Sequence, residues 1–279
     1  MKKFICYSLV LVVIFAASAS ADVIGTLSRG NYSPENQDQP KMASVVEVEG
    51  YKNSLLASVF DEAFKAEGTM MKFYDSLILM QMALSKGEID CITTPEFVGE
   101  FMLRTNSFYK LRGFMIGKNP IALAFGFLDD KKELRDRFSK AVEDMEREGV
   151  IGLLAMKFVV GPDSLAPNAV SFEKFDNAET ISVALTGDLP PFDYVAPYGT
   201  PTGFNTAILA EIGKRLHINI KPVIVETGSR AMALKSGRAD VVFWFQVFTG
   251  YDKQPDVPEG IITSTPYYGW NKTFLIGRK

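Results

Sequence analysis

The chain has 279 residues, 30 Lys and Arg against 33 Asp and Glu, one His and two Cys, for a formal charge of −3. That acidic balance supplies no electrostatic footprint for nucleic acid, and one histidine with two cysteines makes no His/Cys cluster of the kind that holds a metal. A hydrophobic content of 47% is enough for two modest cores or one large one.

Residues 1–21 read as an export signal: Lys2 and Lys3 form a basic start, Tyr7 to Ala17 is apolar, and Ala19-Ser20-Ala21 is a small-residue cleavage site. The apolar run is shorter than the roughly 20 residues a bilayer span needs. Cleavage leaves 258 residues, and loss of Lys2 and Lys3 takes the formal charge from −3 to −5. Cys6 leaves with the signal, so Cys91 is the sole thiol and no internal disulfide forms in the exported protein. Cys91 lies in an apolar strand pattern and reads as a small buried hydrophobe.

Residues 22–41 are polar and turn-rich, an N-terminal arm. The run SVVEVEGYKNS predicts a strand turning at Gly50 into a helix over 53–66. FYDSLILMQMALSKG reads as a helix, IDCITT as a strand and FVGEFMLR as another helix. Ile121 to Phe127 is a continuous apolar run suited to a buried strand crossing between lobes. Leu134, Phe138, Ala141, Val142 and Met145 share one helical face, Gly149 ends that helix, and VIGLLAMKFV adds a further helical segment. Residues 161–179, with two prolines and no period, form a connector. ISVAL (181–185) is a short buried strand, after which Pro190 and Pro191 lead the backbone out of the sheet. Thr202-Gly203 turns the chain into a helix with Asn205 as the expected N-cap. His217 stands at the turn after that helix and reads as a cap or an exposed residue. Residues 273–277 (TFLIG) form the last apolar strand, expected to end at the hinge and leave Ile121 to Phe127 as the single continuous crossing.

Within this order MALKSGRADVV (232–242) repeats the spacing of MALSKGEIDCI (82–92): a helix end, a glycine able to take positive φ, and an Asp entering a strand. The repeat favours two related lobes.

The unit from Gly187 to Asn205, GDLPPFDYVAPYGTPTGFN, together with Ala233 to Val242 and Pro266 to Phe274, resembles the type 2 periplasmic solute-binding proteins of the amino-acid ABC-transporter kind, family 3 of the extracellular solute-binding proteins. The resemblance covers nearly all of 42–279, but in rotated order: the unit that opens those proteins stands here at Pro190 to Phe204. It implies an α/β, two-lobed periplasmic-binding-protein type 2 fold, circularly permuted. The implied division is signal peptide 1–21, arm 22–41, second lobe 42–120, hinge strand 121–127 and first lobe 128–279, with 161–179 as the new connector. A rival arrangement is two half-domains left by tandem duplication, pairing between molecules as a lobe-swapped dimer rather than folding as a monomer.

A cleft between such lobes lies at the carboxyl ends of the strands. The family's carboxylate-binding Arg and amine-binding Asp fall at about Asp252 and at Pro95, so neither is matched. The residues offered for ligand binding instead are Trp244 and Gln246 at an aromatic strand end, Arg230 for an anionic group, Phe192 and Tyr194 of the matched turn, Tyr51, Lys52 and Asn53 at a helix start, Thr94 by its place at a strand end, and Glu96 as an amine acceptor. No catalytic residue, cofactor or metal is expected. The implied function is an exported, non-enzymatic receptor that takes a small polar solute, an amino acid or related molecule, to an ABC permease. Two alternatives are a sensing subunit for a membrane receptor and a carboxylate-dependent dehydratase or glycan lyase using Glu96 or Asp188.

Overall fold

The computed structural model describes residues 12–13, 23–27, 41–44, 70–74, 76–161, 169–196, 199–249, 254 and 256–279. Its first half contains β1 (Val12–Val13), β2 (Val23–Leu27), β3 (Lys41–Ser44), β4 (Met70–Phe73), α1 (Leu77–Lys86), β5 (Cys91–Pro95), α2 (Glu96–Thr105) and β6 (Tyr109–Leu128). Helix α1 starts where the Ser76 hydroxyl accepts from the Leu79 amide at 3.3 Å and stops at Gly87, whose φ of 80° and backbone N–H close the last turn. It buries Leu77, Met80, Ala83 and Leu84 against the sheet.

The second half contains α3 (Lys132–Arg147), α4 (Val150–Ala155) running into a π turn (Met156–Val160), β7 (Thr180–Leu185), β8 (Asp188–Leu189), β9 (Asp193–Val195), β10 (Pro201–Thr202), α5 (Phe204–Leu216), β11 (Asn219–Ile224), a 3-10 turn (Thr227–Ser229), α6 (Arg230–Lys235), β12 (Val241–Phe248), β13 (Ile261–Thr263) and β14 (Tyr268–Arg278). The amphipathic face read from the sequence is the buried face of α3: Phe138 meets the rings of Phe125 and Phe127 edge-on at 5.4 and 5.3 Å, with Ala141, Val142 and Met145 beside it. The repeat also holds locally. Gly237, like Gly87, has positive φ (69°) after its helix, and the Asp240 carboxylate accepts from the Ser182 amide at 2.8 Å, tying β12 to β7.

Two groups of strands share one hydrogen-bonded sheet in the order β11-β7-β12-β6-β14-β5-β3-β4. In the first lobe β11, β7 and β12 are parallel, and β12 and β13 run antiparallel to residues 121–128 of β6. In the second, β3 is parallel to β4 and β5, while β5 and β2 flank the antiparallel pair of β14 with residues 109–116 of β6. Twenty residues of strand reach about 66 Å, so β6 serves both lobes, and β14 accompanies it. Between the lobes the ladder slips: Trp270 faces Ile121 but Lys272 faces Ile116, so Asn271 stands against four residues of β6, 117–120. Such an irregularity loosens pairing and bends the ribbon, and it lies where the two groups of strands meet.

Four expectations change. Ile121–Phe127 lies wholly beside first-lobe strands, so the crossing precedes it. Thr273–Gly277 does not end at the hinge, because β14 continues through it to pair with β5; two strands therefore cross, each holding the other in register. The 22–41 arm contributes β2, paired to β6 from Ile24↔Ile116 to Leu27↔Gly113. Asn205 is not the N-cap of α5; Gly203 is, with φ 105°, where an added Cβ would lie 2.6 to 2.8 Å from Phe192 and Pro191 backbone atoms. The helix expected over 53–66 lies outside the described residues, and so does the export signal apart from Val12–Val13, which pairs with β2. His217 closes α5 in the left-handed region (φ 53°), its ring 4.2 Å from that of Phe175. Among the described residues no helix is long and apolar enough to cross a membrane.

Candidate functional site

The parallel strands β7 and β12 end at one edge, and the turn after β7 is built there. Asp193 organises it: one carboxylate oxygen accepts from the Thr186 amide and hydroxyl, each at 2.8 Å, and from the Gly187 amide at 2.6 Å. The side chain is fully buried, and burial pushes its acid up to about 6 against the opposing pull of those donors. Pro191 and Phe192 carbonyls then accept from the Phe204 and Asn205 amides at 3.1 and 2.8 Å, satisfying first-turn donors of α5. Asn205 itself is buried, and neither side-chain polar atom finds a partner among the described residues.

Asp188, half-buried on β8, accepts from the Thr227 hydroxyl at 3.2 Å. Burial raises its acid, opposed by the Thr186 and Thr227 hydroxyls and the Arg230 charge. Arg230 and Trp244 depart from expectation. Arg230 is 0% exposed, with Nε donating to the Thr227 carbonyl (3.0 Å), Nη1 to the Trp244 carbonyl (2.6 Å) and Nη2 to Asp256 (3.2 Å). Its guanidinium lies 3.6 Å from the Trp244 ring centre, and Asp256 also accepts from the Gln246 amide at 2.8 Å. The cation proposed for a solute carboxylate is thus sealed into an internal pair. Trp244, offered as a ligand contact, is 1% exposed: β12 is an interior strand, and the guanidinium covers the ring. Gln246 is half-buried at the same strand end, in register with Leu123.

The opposite wall comes from the second lobe, where β5 ends at Thr94 and Pro95 and α2 begins. Thr94 is buried, its hydroxyl without a partner among the described residues. Glu96 is engaged by Lys272 of β14 at 3.0 Å, beside the register break in that strand. Phe97, not singled out from the sequence, makes the main contact across the cleft. Its ring lies 3.9 Å from that of Phe192, tilted 31°, and edge-on to Trp270 (5.2 Å) and Tyr268 (5.6 Å). Phe192 meets Tyr268 and Phe204 at 4.8 and 5.0 Å, and Phe101 faces Tyr194 at 6.1 Å. Burial, followed by the charges of Glu96 and Glu100, pushes the Tyr268 hydroxyl up to about 12. The only sequence signal for Phe97 was position: a large ring on the first turn of a helix that follows a strand end. Tyr51, Lys52 and Asn53 lie outside the described residues.

The structure thus brings Phe192 and Tyr194 against α2, the helix that carries Glu96, while Thr94 lies buried beneath that helix beside Gly99, and Arg230 and Trp244 lie in the first-lobe interior. Chemically the junction is aromatic, with the Glu96–Lys272 ion pair beside it.

Residues 181–275 match the family described as bacterial extracellular solute-binding proteins, family 3. No curated protein matches the chain. Among solved structures, the ligand-binding component of an ABC-type import system from Staphylococcus aureus, with zinc bound, is 12% identical with a TM-score of 0.44; the match covers 87% of this chain and 66% of that one, so less than two thirds of its length is spanned. The methionine-binding protein MetQ is 12% identical with a TM-score of 0.42, over 88% of this chain and 84% of that one. The periplasmic aliphatic sulphonate-binding protein SsuA from Escherichia coli is 10% identical with a TM-score of 0.37, over 87% and 66%.

Proposed function

We propose that this chain, whose residues 181–275 match the bacterial extracellular solute-binding proteins, family 3, is exported by its N-terminal signal, captures a small organic solute between its two lobes and presents it to an ABC importer. The observation that carries this reading is the shared break in β6 and β14: two paired strands join the lobes and both lose register at one level, opposite Asn271. Rotation there parts the Phe97–Phe192 contact and exposes the strand ends. A solute that touches both walls favours the closed arrangement by its differential affinity for it. The ordinary amino-acid pose is not available to Arg230, whose donors hold Thr227, Trp244 and Asp256. Transport rather than turnover suits carboxylates already engaged, Asp188 with Thr227 and Glu96 with Lys272.

The rotated order of the motifs is part of this reading. Met42 of β3 and Gly277 of β14 flank Cys91 on opposite sides, about 10 Å apart across two strand spacings. The last strand thus ends where β3 begins, and a short link there would restore the order of motifs seen in the family. That supports circular permutation of one two-lobed unit. The test is small-angle scattering with a solute panel: the solute that raises the melting temperature should also shrink the radius of gyration of a monomer, and a thermal shift with an unchanged radius would overturn closure.

A further inference from the structure

We infer that α2 is a latch between the lobes: its Phe97, Phe101 and Arg104 hold the closed arrangement in the absence of solute, so that the solute adds to a closure the chain already makes. The inference rests on the solute-binding reading above and assigns a regulatory element to it. At about 100° per residue, positions 97, 101 and 104 fall on one side of the helix, while 98, 99 and 102 fall on the other. The second set packs into the helix's own lobe. Val98 and Met102 are buried, and Gly99 lies so close to β14 and β5 that an added Cβ would sit 2.7 Å from the Phe274 ring and 2.8 Å from the Thr94 hydroxyl. The Glu96–Lys272 pair at 3.0 Å fixes the start of the helix to β14 on the second-lobe side of the register break. Any movement of the second lobe therefore carries α2 with it.

Each member of the first set instead meets the first lobe. The Phe97 ring lies 3.9 Å from that of Phe192, Phe101 lies 6.1 Å from Tyr194, and Arg104 Nη2 donates to the Gly161 carbonyl at 3.4 Å. Gly161 closes the π turn after α4, its amide donating to the Met156 carbonyl at 2.8 Å. The guanidinium thus stands at the carbonyl end of a helical segment, where positive charge is favoured. The contacts run along about 10 Å of helix, from a ring that is 4% exposed at Phe97 to a charged group at the exposed end. Parting the lobes uncovers the apolar area of two ring pairs and withdraws the cation from its carbonyl. All three contacts are made between groups of this chain, so the closed arrangement has its own cohesion before any solute contributes.

The test uses the full mature chain without added solute, with spin labels at the exposed Val195 and Thr105 in a Cys91→Ser background, and small-angle scattering of the unlabelled protein. Wild type should show a short-distance population beside a longer one. Phe97→Ala should lower the ratio of short to long about tenfold and Arg104→Gln severalfold, each with a larger radius of gyration. Phe97→Leu keeps an apolar contact and should fall between wild type and Phe97→Ala; Arg104→Gln, at the exposed end of the helix, leaves the core intact and guards against misfolding. No short-distance population in wild type, or a ratio unmoved by Phe97→Ala, Phe97→Leu and Arg104→Gln alike, overturns the latch. If those variants change nothing while a solute still narrows the distribution, the latch falls and the solute-binding reading stands. If they open the molecule and no solute of the panel closes it, the latch stands and the solute-binding reading falls.

Discussion

Replacing Asp256 by Asn is the sharpest test of why Arg230 does not serve the cleft. Both side chains are 0% exposed, with Nη2 at 3.2 and 3.4 Å from the two carboxylate oxygens. The substitution keeps the volume and an oxygen for the Gln246 amide, but leaves the guanidinium buried without its counter-charge. Breaking a buried pair from one side costs about 3 to 5 kcal/mol. With an unfolding entropy of about 2 cal/mol/K per residue for a mature chain of this size, that lowers the melting temperature by about 6 to 10 °C. Calorimetry and urea unfolding of Asp256→Asn should both show the loss, and the double variant Arg230→Met, Asp256→Leu should recover much of it. A loss under 1 kcal/mol in the single variant would refute the buried clamp and return Arg230 to the candidates for binding a solute.

Asp193→Asn should alter the pH dependence of stability. The folded acid is raised from 3.8 to about 6, so this group's contribution is fully present below about pH 4 and is lost as pH rises through 6. The stability of wild type relative to Asp193→Asn should therefore fall by about 2 kcal/mol between pH 4 and pH 7, measured by urea unfolding across that range; a constant difference would contradict the assignment. Phe138→Ala removes a fully buried ring from between α3 and β6 and should cost about 3 to 5 kcal/mol, seen as a lower urea midpoint at unchanged m-value. Cys91 is buried and its thiol is pushed up to about 11, chiefly by burial, so maleimide labelling at pH 7 should be slow in the folded protein and fast in urea.

Much of the fold was legible because periodicity and punctuation agree locally. The face of α3, the glycine ends at Gly87 and Gly237, and the strand at 181–185 are set by neighbours in sequence, and the structure has them where the residues pointed. The site was less legible because its members are joined only by tertiary packing. Nothing in the sequence near Arg230 announces Asp256, 26 residues away, and the pairing is what turns a plausible ligand contact into a buried clamp. Trp244 was offered to a ligand as part of an aromatic strand end, whereas an interior strand is covered on both faces. Phe97 went unnoticed because a phenylalanine in a helix usually packs into its own lobe, and only the folded chain shows its ring against Phe192. The two crossing strands were read as one for a related reason: pairing of β14 with β5 and β6 cannot be seen in the apolar run 273–277 alone.

The central claim is closure of two lobes about the break opposite Asn271. Spin labels at Val195 and Thr105, both exposed and flanking the Tyr194–Phe101 contact on opposite sides of the cleft, report on it directly in a Cys91→Ser background. With the solute that raises the melting temperature, the distance distribution should collapse to one short, narrow peak from a longer and broader one without it. The same distribution in both conditions would contradict the account.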